Sequence, residues 1–175
     1  MNRAKILGTG SAVPKKLLTN ADLEKLVDTS DTWIRERTGI RERHIVSPGE
    51  KFSDLCTEAA AAALKRAKVK PEDLDMILVG TISSDMLFPA TSCLVQRNLG
   101  ATKAAASDVS AACVGFLYGL HLADGLIQSN KAENVLVVGG EILSRYVDWT
   151  DRSTWPSRWS SAITLASSPC LPPSR

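Results

Sequence analysis

Residues 104–128, AAASDVSAACVGFLYGLHLADGLIQ, constrain the fold more than any other stretch of the chain. Small and β-branched residues lead into an abrupt turn at Ala111-Ala112-Cys113, and a long apolar helix follows. Phe116, Leu117, Leu120, Leu122, Ala123, Leu126 and Ile127 recur at helical intervals on more than one face, the pattern of a helix buried between layers. This spacing predicts a cysteine at a strand-to-helix corner, at or just before the first turn. Free amide N–H groups at such a helix end favour a thiolate. Ala111, Ala112 and Gly115 leave room for a carbonyl to reach the sulfur, which suits nucleophilic acyl transfer. A buried cysteine with a packing role fits the same local pattern.

Two further apolar runs, LDMILVGTI at 74–82 and NVLVVGGE at 134–141, read as strands covered on both sides. Between them and around them lie helical segments: an alanine-rich one at 52–69 holding Cys56, and one at 90–99 closed by Gly100. The alternation predicts an α/β fold, a mixed sheet with helices on both faces and a buried central helix. A short first strand at 4–8 precedes Gly8-Thr9-Gly10. No third glycine and no helix follow, so a tight turn is expected there rather than a dinucleotide loop. Thr19-Asn20 is expected to cap a helix reaching Asp28.

Residues 29–44 form the second informative stretch. Ser30-Asp31 starts a short helix on which Trp33 and Arg37 are four residues apart and share a face. An indole and a guanidinium so placed can sandwich a flat heteroaromatic ring, and Arg35, Arg41 and Arg43 add charge suited to phosphates. A solvated charged helix, compensated by Glu36 and Glu42 with Trp33 packed on the body, is the reading these residues by themselves favour. His121 lies eight residues past Cys113, about 12 Å along a helix axis, too far to serve that thiol as a base. His44 beside its charged run is no stronger a candidate.

The chain's 175 residues suffice for a domain with a real core. A net charge of +2 gives no argument for nucleic acid, and no apolar window is long enough for a membrane span. The four cysteines show no metal-ligand spacing and read as reduced thiols of a cytoplasmic protein.

DVSAACVGFLYGL resembles the nucleophile segment of the β-ketoacyl-acyl-carrier-protein synthase III family, condensing enzymes of the thiolase fold. The resemblance runs from about Lys5 to Thr154 and includes, in the family's order, GTGSAVP, TNADLEKLVDTSDTWIRERTGIRERH, FPATSCLVQRNLG and DWTDRST. It implies one layered half of a thiolase-like enzyme over 1–154, the N-terminal one. It implies Cys113 as acyl-accepting nucleophile, and Trp33 and Arg37 gripping the adenine of coenzyme A. Thr29 would line the same channel, Arg152 would lie near the coenzyme's polar end, and Phe88 would reach across a dimer to line the acyl pocket. A hydrophobic staple at the start of the following helix is the other reading of Phe88.

The implied activity is condensation of acyl-CoA with a malonyl acyl carrier protein to initiate fatty acid synthesis, through an acyl-cysteine. Acyl-CoA is then a substrate, and no cofactor or metal is permanently bound. The complete family member is a homodimer. A relative making polyketides or secondary metabolites is a second enzymatic reading, and a non-catalytic fragment that binds coenzyme A or pairs with another subunit is a third.

Beyond Thr154 the resemblance stops. WPSRWSSAITLASSPCLPPSR has no acidic residue, four prolines and six serines. It lacks the expected strand and Gly-Asp-Gly-Ala turn, and no residue matches the histidine and asparagine of the family's second half. Residues 155–175 are accordingly expected to be a non-family, disordered tail, as a disrupted reading frame would produce.

Overall fold

The runs MILVG and VLVVG become neighbouring parallel strands, β4 (Met76–Gly80) and β6 (Val135–Gly139). Every residue of β6 is buried, because helices cover both faces. β5 (Ala105–Val109) pairs parallel to the other side of β4. β7 (Ala166–Leu171) runs antiparallel to β6 and to β1 (Lys5–Ile6). The mixed sheet thus has the order β1-β7-β6-β4-β5.

The computed structural model describes residues 4–149 and the backbone of 166–171. They fall into two units. The first holds 4–12, Lys51–Glu141 and β7; the second holds Val13–Glu50 and 142–149.

Period-two alternation sorts the strand side chains of the first unit to two faces. Leu78, Val135 and Val137 pack with Ala123 and Ile127 of α5 (Gly115–Gln128). Ile77, Val79, Leu136 and Val138 point the other way, towards α3 (Phe52–Ala67) and α4 (Thr91–Leu99), and are fully buried. Each such aliphatic side chain contributes about 1.5–3 kcal/mol of transfer free energy.

Four expectations need correction. The central helix is not buried between layers: Gly115, Gly119, Ala123 and Ile127 form one inward stripe, while Leu117 and Leu122 stay 61% and 49% exposed. The sheet covers one face only, and no described element covers the other. Gly8-Thr9-Gly10 is not a tight turn. Both glycines lie against α3, where a Cβ on Gly8 would stand 2.6 Å from the Ala63 carbonyl oxygen and one on Gly10 would strike that of Ala59. The expected absence of a strand after Thr154 fails at 166–171, where β6 offers an edge to pair with. The helix expected to reach Asp28 is only α1 (Asn20–Leu23).

In the second unit, β2 (Lys16–Thr19) and β3 (Glu42–Ile45) form an antiparallel pair that periodicity did not reveal. Thr19 closes a capping box with Asp22 at the start of α1. Ser30 caps α2 (Asp31–Thr38) by accepting from the Trp33 amide, and Gly39 ends it at φ 73°. Leu23 and Ile34 are its buried core, with Trp33 and Trp149 packed around them. Asn20, buried, ties these pieces together: its side-chain amide donates to Asp31 and to the Ile40 carbonyl and accepts from Arg43.

Candidate functional site

Parallel strands aim their carboxyl ends at one edge of a sheet, where α/β proteins place ligands. Three features of the first unit gather at the carboxyl ends of β4, β5 and β6: the 81–90 loop, the Cys113 corner and Glu141.

Cys113 sits in a 3-10 turn, Ala112–Val114, between β5 and α5. The corner is sharp because Gly115 approaches β4 closely; a Cβ on Gly115 would stand 3.1 Å from both Gly80 Cα and the Val109 carbonyl oxygen. The preceding Ala112 takes φ 45°, a left-handed conformation that costs a residue with a Cβ. Cys113 is exposed, with the small residues Ala111, Ala112 and Gly115 around it. Cys56 behaves as a core residue: it is fully buried, and desolvation, with Asp85, Asp108 and Glu141 adding negative potential, pushes its thiol well above the usual range.

These three carboxylates escaped the sequence reading. Lys51 precedes α3 and Ala90 precedes α4 as N-cap residues, and neither supplies a side-chain acceptor. Asp85 accepts from the Phe52 and Ser53 amides, and Asp108 accepts from Thr91 and Ser92, all at 2.8 Å. Glu141 accepts from the Ile82 amide and from the Ser83 hydroxyl at 2.6 Å. The missing local caps were the available signal: a helix starting on Lys or Ala must find its acceptor elsewhere. The loop pinned by these bonds carries Met86, Leu87 and Phe88 into solvent. Phe88 is 88% exposed, so it makes no staple onto α4.

The second unit holds Thr29, Trp33 and Arg37. The Arg37 guanidinium carbon lies 4.5 Å from the Trp33 ring centroid, a cation–π stack. The pair is brought together as expected, yet closed on itself; a flat ring entering between them requires Arg37 to swing away, an inexpensive move for an exposed side chain. Thr29 Oγ1 is buried with no hydrogen-bond partner among the described residues. Arg35 pairs with Asp31 at 3.4 Å rather than with Glu36, and with Arg41 and Glu36 it lines a shallow groove. Arg43 instead points inward onto Asn20. Arg152 lies outside the described residues.

His121 is exposed on α5, and His44 is engaged by the Pro14 carbonyl. Among the described residues no cluster of His, Cys, Asp and Glu could hold a metal ion, and no helix is long and apolar enough to cross a membrane.

Comparison with known proteins places this geometry. The family model of 3-oxoacyl-[acyl-carrier-protein (ACP)] synthase III matches residues 107–157, the Cys113 segment. A β-ketoacyl-[acyl-carrier-protein] synthase III of Caldanaerobacter subterraneus is 57% identical over 151 residues, covering 86% of this chain and 46% of that protein. One from Thiobacillus denitrificans is 51% identical over 172 residues, covering 96% and 54%. The crystal structure of 3-oxoacyl-[acyl-carrier-protein] synthase III from Aquifex aeolicus superposes with a TM-score of 0.88 at 48% identity, over 96% of this chain and 53% of that one. The priming β-ketosynthase of the R1128 polyketide pathway gives a TM-score of 0.88 at 32% identity, over 97% and 50%. The chain spans about half the length of the curated relatives it matches. Over that shared half its fold is thiolase-like, and the chain belongs to the β-ketoacyl-[acyl-carrier-protein] synthase III family.

Proposed function

We propose that this chain is the nucleophile-bearing half of a condensing enzyme that initiates fatty acid synthesis, and that Cys113 takes an acyl group from acyl-CoA. The observation that carries the reading is the exposed thiol at a sharp strand-to-helix corner on the carboxyl edge of the sheet. The Cys113 sulfur attacks the thioester carbonyl, the carbon–sulfur bond to coenzyme A breaks, and the thiol proton ends on the departing coenzyme thiolate. The acyl-cysteine then meets a malonyl acyl carrier protein, whose decarboxylation supplies the attacking carbanion.

Trp33 and Arg37 would open to hold the adenine, with the Thr29 hydroxyl flanking it and Arg152 near the polar end of the coenzyme. Phe88, exposed on its pinned loop, would line the acyl pocket of a second copy in a homodimer. The protein would work in the cytoplasm.

Condensation needs preorganised donors for the oxyanion and enolate, each worth about 2.7–4 kcal/mol. His121, exposed midway along α5, is not placed to be one. Self-acylation is therefore the step proposed for this chain, with condensation requiring the remaining half of the family's length. The exposed face of α5 is where that half would pack.

Intact-protein mass spectrometry after incubation with acetyl-CoA tests the reading. A single acetyl adduct, absent in Cys113→Ala, is the expected result. A folded protein that gains no adduct would make the chain a non-catalytic member of its family.

A further inference from the structure

We infer that Asp108 is a positioning residue for Cys113: its carboxylate anchors the end of β5 to the first turn of α4 and so holds the strained Ala112 corner in shape. The inference rests on the acyl-transfer reading for its kinetic consequence, but not for its structural one.

Among the described residues β5 is the last strand of its sheet, paired on one side by β4. Its free end leads within four residues to Ala112, whose φ of 45° is unfavourable for a side chain larger than hydrogen. Such a conformation persists only where the surroundings over-determine it. Downstream of Cys113 the constraint is the close approach of Gly115 to Gly80. Beyond the pairing of β5 with β4, two described constraints act upstream: the Thr81 amide donating to the Val109 carbonyl at 3.3 Å, and the Asp108 carboxylate. Of these, Asp108 is the stronger, since both its oxygens accept charge-assisted bonds, from Thr91 and Ser92, at 2.8 Å. Those amides have no acceptor from Ala90, so the two needs meet in one residue. α4 acquires its cap, and the nucleophile strand acquires a second anchor.

Replacing Asp108 by Asn leaves one acceptor oxygen and turns an amide N–H₂ towards a backbone N–H. In Asp108→Asn, hydrogen exchange of the Val114 amide, which donates to the Ala111 carbonyl across the corner, should quicken about tenfold, the loss of one charge-assisted bond, while α3 exchanges as before. At saturating acetyl-CoA, acylation of Cys113 should slow about tenfold on the same basis, with the half-saturating concentration unchanged.

A double-mutant cycle separates positioning from mere helix capping. Ala112→Gly removes the strain that Asp108 restrains, so Asp108→Asn in that background should cost about twofold or less, a coupling expected of residues acting through one backbone turn. An equal loss in both backgrounds overturns the inference. Should Asp108→Asn fail to fold, Thr91→Pro deletes a single bond at a helix position that accepts proline. It should quicken exchange of the Val114 amide without melting α4; unchanged exchange there overturns the inference too. If wild-type protein takes no acetyl group, the functional reading fails, and hydrogen exchange still decides the role of Asp108.

Discussion

Gly80 and Gly115 touch backbone to backbone: a Cβ on Gly80 would stand 2.5 Å from the Gly115 carbonyl carbon and 2.7 Å from the Phe116 amide nitrogen. This contact seats the first turn of α5 on β4 and sets the angle at which Cys113 leaves the sheet. Nothing flexible lies in the way of an added methyl, so backbone must shift. Gly80→Ala should destabilise the protein by about 1–3 kcal/mol, in the range of overpacked cores. Gly115→Ala, whose Cβ meets its neighbours at 3.1 Å or more, should cost less. Urea denaturation of the two variants checks the order.

The thiols differ in reactivity because they differ in burial. Iodoacetamide should alkylate Cys113 in the folded protein and leave Cys56 untouched until the protein unfolds, read by peptide mass spectrometry. Burial raises the Cys56 thiol well above its ordinary 9.0. The unfolded chain therefore sheds this proton first, and stability falls as pH rises past the unfolded value. Cys56→Ala should remove that alkaline slope, whatever its cost near neutrality.

Asp22 shows the opposite sign. Hydrogen bonds from the Thr19 hydroxyl and Lys25, with the Thr19 amide, draw its carboxyl down from 3.8 to about 2. Its contribution is present above the unfolded value and is lost as pH falls from 3.8 towards 2. NMR titration of the Asp22 carboxyl should place its midpoint well below that of other exposed aspartates. Thr19→Ala should return it towards the ordinary range and cost about 1 kcal/mol through the lost cap.

The uncovered face of α5 predicts association behaviour. Leu117, Tyr118 and Leu122 are exposed at helical spacing, a contiguous apolar strip. Leu117→Lys with Leu122→Lys should leave the melting temperature within a few degrees, since neither side chain is in the core. The same pair should reduce self-association in sedimentation velocity. A large drop in melting temperature would show that the strip is covered within this chain.

Trp33→Ala should raise the acetyl-CoA concentration for half-maximal acylation about tenfold, a stacked adenine being worth about 1–3 kcal/mol. Cys113 alkylation by iodoacetamide should be unchanged, because Trp33 belongs to the second unit.

What local pattern determined was extensive. The buried runs of β4 and β6, the start of α2 at Ser30, and the Cys113 corner were all legible, since hydrophobic period and cap chemistry act within a few residues. The Trp33–Arg37 stack was legible too, because one helical turn brings the fourth residue onto the same face. Tertiary structure alone decided the rest. Apolar residues around α5 promised two covered faces, but exposure depends on which elements are present to pack, and the sheet supplies only one. Gly8 and Gly10 looked like turn residues; they are there because α3 passes too close for a Cβ. Asp85 and Asp108 serve as caps for helices more than a dozen residues away, a pairing no local window contains. Periodicity and capping are short-range and written in the chain. Close approach, burial of a face and remote hydrogen bonding arise only when distant segments meet.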